Sequence, residues 1–197
     1  LLAIKEISRT REQHHLSDRQ FSKIVAAEFC IQSTLRHLHL VQVLDLVRLD
    51  ATHWCQILEY CPRGDLFARI RKGAITSVEA GRILHQMLKG IDYMHSKGVA
   101  HRDVKPENIL FDNEDRVKIA DFGSAEVFKQ CWEAHASMTR GQAGSRPYMA
   151  PETFDDQWHD ARKADIWSCG IVYVTMLNGR NPWQQANSAA DATYRAY

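Results

Sequence analysis

The polar cluster His101-Arg102-Asp103-Val104-Lys105-Pro106-Glu107-Asn108 runs straight into apolar Ile109-Leu110-Phe111. A polar run, Asp112-Asn113-Glu114-Asp115, comes next, and then Val117-Lys118-Ile119-Ala120 leads into Asp121-Phe122-Gly123. Two short apolar runs about a polar turn read as a strand, a turn and a returning strand. A hairpin brings its two ends together. Asn108 and Asp121 are therefore expected to face one cleft, with Asp103 and Lys105 beside them.

Ala150-Pro151-Glu152 lies further on. In order and spacing, the three groups resemble the H-R-D…N, D-F-G and A-P-E signature of the eukaryotic protein kinase family. Moving a phosphoryl group asks a protein mainly for positioning and charge neutralisation. The resemblance implies ATP and Mg²⁺ as cofactors. It implies Asp103 as the acid that takes the acceptor's proton, and Asn108 and Asp121 as metal ligands that also bind ATP. Mg²⁺ suits such a set, since it binds through one or two carboxylates plus substrate phosphates. Lys105 is similar to the serine/threonine version of the catalytic loop.

Upstream, Ala3-Ile4-Lys5 resembles the family strand whose lysine holds the α- and β-phosphates and pairs with a glutamate on the next helix. That helix is legible by itself. Ser17-x-x-Gln20 reads as a capping box, and Ile24, Ile31 and Leu35 fall on one helical stripe. Glu28 lies on the same stripe, and a carboxylate on a buried face is costly unless paired. Lys5 is the partner the resemblance implies, so Lys5 and Glu28 join the catalytic set and Lys5 the ATP site. Gln32 departs from the family pattern, in which this position is often apolar and completes an internal column.

The resemblance covers essentially the whole chain. It implies an α+β, bilobal kinase-like fold truncated at both ends, with 1–58 as part of the small lobe, 59–64 as the hinge and 65–197 as part of the large lobe. A glycine-rich loop is expected before residue 1 and further helices after Tyr197, so this fragment alone is expected to be inactive. Residues 9–15 read as a polar insert, and strands are expected near 43–49 and 54–58. Glu59-Tyr60-Cys61-Pro62-Arg63-Gly64 resembles the hinge, where the backbone at Glu59 and Cys61 would bond the adenine. Leu58 matches the position guarding the rear of the pocket, and Asp65 an acid near the ribose. Thr76-x-x-Glu79 is a second capping box, opening a helix on Ile83, Leu84, Met87, Leu88, Ile91 and Met94 that stops at Gly98. Asp165-Ile166-Trp167-Ser168-Cys169-Gly170 resembles the buried central helix, whose aspartate anchors the catalytic loop. With Val172, Val174, Met176 and Leu177 it is expected to be apolar almost all round, and Gly179 to cap it.

The segment from Asp121 to Glu152 resembles an activation segment. Kinases with an arginine at the position of Arg102 are commonly switched by loop phosphorylation, which orders the loop through arginine pairing. Thr139 is the first expected acceptor and Ser137 the second, with an upstream kinase as partner. Ser145 matches a residue that touches Asp103 and Lys105 to orient the substrate hydroxyl, and Glu107 would face a peptide substrate. Ala27-Glu28-Phe29-Cys30-Ile31, Tyr60-Cys61-Pro62-Arg63-Gly64-Asp65-Leu66 and Asp121-Phe122-Gly123-Ser124-Ala125-Glu126-Val127-Phe128 are similar to the fungal halotolerance and nitrogen-permease-reactivator kinases. That likeness implies control of plasma-membrane potassium and nutrient transporters.

The whole is expected to be a Ser/Thr protein kinase acting on protein hydroxyls. A pseudokinase or scaffold module is the alternative, and a small-molecule kinase of similar fold a further one. Among 197 residues, 25% are charged, 45% are apolar and the net charge is +1. No nucleic-acid partner and no membrane insertion are expected from that balance. Five cysteines without C-x-x-C pairs suit reduced thiols and a cytoplasmic location. The pairs His14-His15 and His37-x-His39 lack metal-site spacing.

Overall fold

The computed structural model describes residues 1–9, 15–50, 53–73, 75–155 and 157–197. Most of the polar insert expected at 9–15, and His14 with it, lies outside the described residues. Strand β1 (Leu2–Ile7) pairs antiparallel with β3 (Trp54–Glu59), which pairs on its other side with β2 (Val43–Arg48). The sheet order is β1-β3-β2, and its register sets Lys5 opposite Gln56.

Helix α1 (Asp18–Thr34) connects β1 to β2. Its start is the expected capping box: the Gln20 N–H donates to Ser17 Oγ at 3.3 Å, and the Ser17 N–H donates to Gln20 Oε1 at 2.8 Å. The expected face is buried only in part. Leu35 is buried and Ile31 packs on the core, but Ile24 is exposed, and Phe21, Val25 and Gln32 are buried. Burying the phenyl ring of Phe21 removes more apolar area from water than burying Ile24 would. Glu28 is largely covered, its side chain 13% exposed.

Beyond the connection at 60–65, Asp65 caps the short α2 (Leu66–Arg71). Helix α3 (Ser77–Ser96) opens on Thr76 and buries Ala80, Ile83, Met87, Gly90, Ile91 and Met94, with Gly98 just past its end at φ +76°. Strand β4 (Val99–Ala100) pairs with β7 (Glu126–Val127), setting Ala100 against Glu126. Between them the expected hairpin forms from β5 (Ile109–Phe111) and β6 (Val117–Ile119), with Ile109 opposite Ile119. Its turn is closed by the Asp112 carboxylate, which accepts the N–H of Glu114 at 2.9 Å and of Arg116 at 3.0 Å.

Helix α4 (Ala161–Asn178) begins on an Asp160 cap and ends at Gly179, φ +69°. It is not buried all round. One face, with Asp165, Cys169, Val172 and Met176, packs toward α3 and β4, while Ile166 and Leu177 lie exposed on the other. The short α5 (Ala192–Ala196) follows. The main core gathers Ile83, Met87, Ile109, Phe111, Ile119 and Val172 under the hairpin, and so fixes both of its ends. The sheet side is tied on where Val41 N–H donates to Ile119 O (2.8 Å) and Ile119 N–H to His39 O (2.9 Å). A small antiparallel sheet with one helix, joined to a mainly helical body, is the expected α+β class. None of the described helices is long and apolar enough to cross a membrane.

Candidate active site

The hairpin does bring its ends together: the Ala120 N–H donates to Asn108 O at 2.9 Å. Asn108 Nδ2 in turn donates to Asp103 O at 2.9 Å, which turns its amide oxygen the other way. Lys105 Nζ donates to Asp103 Oδ2 at 2.7 Å and to Ser145 Oγ at 3.0 Å. The Ser145 N–H donates to Asp103 Oδ1 at 2.9 Å. Both oxygens of Asp103 are thereby oriented.

This loop is held against its own preference. Arg102 and Asp121 sit at φ +65° and +64°, two of the three described non-glycine residues in the left-handed region, where an L-residue gives up about 1–2 kcal/mol. Asp165 on α4 holds the first of them. Its carboxylate, 1% exposed, accepts the N–H of His101 at 2.9 Å and of Arg102 at 2.8 Å, with His95 Nε2 2.8 Å away. Gly144 presses on the same turn from the segment between Asp121 and Glu152. It has φ +91°, and a Cβ there would stand 2.4 Å from Arg102 O.

Lys5 closes the cleft from the sheet side. Its Nζ lies 3.1 Å from Glu28 Oε1 and 2.9 Å from Asp121 Oδ1. Burial disfavours the charge of Lys5, but the carboxylates of Glu28 and Asp121 outweigh it and hold its pKa above the usual value. For Asp121, burial likewise opposes ionisation, and the Lys5 ammonium overrides it and holds the carboxyl below the usual range. Two amides are buried here, Gln32 on α1 and Gln56 on β3. Gln56 Nε2 donates to Glu28 Oε1 at 3.4 Å. Gln32, 3% exposed, donates from Nε2 to Val41 O at 3.2 Å. The departure at Gln32 therefore replaces an apolar contact by a hydrogen bond that tethers α1 to the segment before β2.

A cleft of about 190 Å³ lies between these groups, lined by Ala3, Lys5, Leu58, Cys61, Ala120 and Asp121 among others. A larger, more open groove of about 870 Å³ lies past the end of α4 beside Trp183 and Asp191. The smaller cleft is the better candidate, because the convergent charged groups with shifted pKa values stand in it. At its rim, Glu59 uses its side chain on Lys118 Nζ (2.9 Å) and its N–H on Gln42 O (3.0 Å). Burial and the charge of Glu59 push the Cys61 thiol up to about 11. Asp65 Oδ1 accepts the Ala68 N–H at 2.7 Å, within the α2 cap.

Glu107 is exposed, in the short 3-10 turn before β5. Of the two expected phosphate acceptors, Ser137 is exposed and Thr139 is 3% exposed. Thr139 pairs with His159 through two backbone hydrogen bonds, of 2.8 and 2.9 Å, and its hydroxyl donates to Glu126 Oε2. The same oxygen takes an ion pair from Arg102 Nη1. The Thr139 hydroxyl is therefore shielded from solvent within this segment. Glu126, Gln56 and Gly144 are the residues of the site that sequence reasoning missed. A glutamine between apolar Cys55 and Ile57 was the one available signal, at Gln56.

Among the described residues, no group of three or more His, Cys, Asp or Glu is placed to hold a metal ion. The Asp121 carboxylate with the Asn108 amide oxygen does suit Mg²⁺, whose shell substrate phosphates and water usually complete. Over residues 1–196 the chain matches the protein kinase domain, and it belongs to that family. Across its whole length it is 40% identical to the serine/threonine-protein kinase hal4 of Schizosaccharomyces pombe, of which it covers 31%. It is 41% identical to the serine/threonine-protein kinase HAL4/SAT4 of Saccharomyces cerevisiae, over 94% of this chain and 30% of that protein. It is 38% identical to the serine/threonine-protein kinase oca2 of S. pombe, again over its whole length and 30% of that protein. The expected likeness to the fungal halotolerance kinases is borne out. The chain spans less than a third of the length of these curated relatives.

Proposed function

We propose that this chain is the catalytic core of an ATP-dependent Ser/Thr protein kinase, with 1–58 as small lobe, 59–64 as hinge and 65–197 as large lobe. The observation that carries the reading is the double hold on Asp103, by Lys105 on one oxygen and the Ser145 N–H on the other. A carboxylate fixed in this way is ready to accept a proton from an incoming hydroxyl.

In this mechanism ATP lies in the cleft with its adenine against the backbone at Glu59 and Cys61, and its ribose near the second oxygen of Asp65. Lys5, held by Glu28, meets the α- and β-phosphates. Asp121 and Asn108 would hold Mg²⁺, which when bound neutralises phosphate charge. Ser145 and Lys105 set the acceptor hydroxyl beside Asp103. As the hydroxyl oxygen forms its bond to the γ-phosphorus, its proton passes to Asp103 Oδ and the bond to the ADP oxygen breaks. Lys105 balances the charge on the transferred group. The exposed carboxylate of Glu107 faces the protein substrate. The likeness to the halotolerance kinases supports a cytoplasmic enzyme that regulates plasma-membrane ion or nutrient transporters.

The test is transfer of labelled γ-phosphate from Mg-ATP to a mixed protein substrate by the full-length protein beside its Asp103→Ala form. A fall of about 10²–10⁴-fold in the variant is expected from loss of a general base. Equal label in both would sink the reading and favour a scaffold that binds without transferring.

A further inference from the structure

One carboxylate oxygen joins three parts of the molecule. Glu126 Oε2 takes the ion pair from Arg102 and the hydroxyl of Thr139. The β4–β7 register is what delivers it, because Glu126 stands opposite Ala100, two residues before Arg102. Thr139 carries the tie onward to His159, just ahead of α4, through their paired backbones. Arg102 immediately precedes Asp103, and its N–H is held by Asp165. The guanidinium is thus the side-chain handle on a strained turn whose next residue is the proposed base.

In a phosphate-switched segment, a phosphoryl group arriving on the loop supplies the partner for such an arginine. Here the position is already filled from within the fold. A phosphate on Thr139 would bring a charge of about −1.5 to −2 onto the oxygen that Glu126 already presents. It would repel the glutamate and part it from Arg102, so the phosphate and the existing bridge exclude each other.

We propose that Glu126 is a positioning residue for the transfer reaction: through Arg102 it holds the catalytic loop and the activation segment in working order without a phosphate on Thr139. This rests on the kinase reading above. It makes phosphorylation at Thr139 an interruption of the site and removes the need for an upstream kinase to assemble it.

The experiment compares full-length wild-type protein, Asp103→Ala, Glu126→Gln and Glu126→Asp in steady-state transfer from Mg-ATP to protein. A further wild-type sample is treated with phosphatase and checked phosphate-free by mass. Hydrogen exchange at the Thr139 and His159 amides is followed in each. Expected are full turnover by the phosphate-free wild type and a fall in kcat of about 10–100-fold for Glu126→Gln, the size of a lost charge-assisted hydrogen bond. The KM for ATP stays in place, partial recovery comes with Glu126→Asp, and exchange at the two amides quickens in Glu126→Gln. Wild-type turnover by Glu126→Gln, or loss of turnover on dephosphorylation, overturns the proposal. If Glu126→Gln does not fold, the phosphatase arm decides. If wild type does not exceed Asp103→Ala, it is the kinase reading that has failed, and unaltered exchange in Glu126→Gln then removes the bridge as well.

Discussion

At Gly144 a single hydrogen atom separates the segment after Asp121 from the turn at Arg102, and the nearby Gly141 offers an internal control. Both have positive φ, +91° and +85°, yet an added methyl meets Arg102 O at 2.4 Å in one case and nothing within 4 Å in the other. Gly141→Ala is expected to lose about 1–2 kcal/mol from backbone strain alone. Gly144→Ala is expected to lose a further 1–3 kcal/mol, roughly the cost of overpacking, together with most of the proposed phosphoryl transfer. Urea unfolding of the two variants measures the gap, and equal losses would mean that the close approach does not matter. Contacts of this kind were beyond sequence reasoning, which recognised Ser145 and passed over Gly144 next to it. The motif marks which side chains carry chemistry. A clash between residues 102 and 144 belongs to two distant pieces of chain and exists only after folding. Glu126 was missed for the same reason, since nothing in its local sequence points to Arg102.

Among the elements, the hairpin β5–β6 was legible because alternating apolar runs about a polar turn have few other ways to fold. The capping boxes of α1 and α3 were legible because their side chains act on backbone three residues away. The faces of α1 and α4 were legible only in part. Which stripe of a helix is buried depends on what lies across from it, and at the start of α1 Phe21 and Val25 are buried while Ile24 is exposed. Helix α4 matters less for its apolar residues than for Asp165, the acceptor shared by two backbone N–H groups of the catalytic loop. Asp165→Ala leaves both donors unpaired, the His101 N–H buried and the Arg102 N–H partly so, and is expected to cost more than the about 1–3 kcal/mol of one buried unsatisfied donor. Asp165→Asn keeps one acceptor oxygen and is expected to lose distinctly less. Thermal unfolding of the pair checks this, and indistinguishable melting points would show that the carboxylate is not what holds the loop.

Over the whole molecule, the Lys5–Glu28–Asp121 triangle is the charge link across the cleft, and its pH dependence follows from the shifted groups. Asp121 titrates below its ordinary 3.8, so its contribution is present above that value and is lost as pH falls through the lowered pKa. Lys5 titrates above its ordinary 10.5, so its contribution is present below that value and is lost as pH rises through the raised one. The stability difference between the protein and Lys5→Met is therefore expected to be flat between those limits and to shrink outside them. Denaturant unfolding across the pH range tests it, and a step near pH 6.5, where histidine titrates, would contradict it.

The left-handed turns at Arg102 and Asp121 carry a consequence for how this protein can change over evolutionary time. Glycine at either position would relax the local backbone. It would also delete the guanidinium that Glu126 grips or the carboxylate that Lys5 holds. Backbone ease and side-chain function pull apart at these two places, so a more heat-resistant descendant must gain its margin elsewhere in the fold and leave both residues alone.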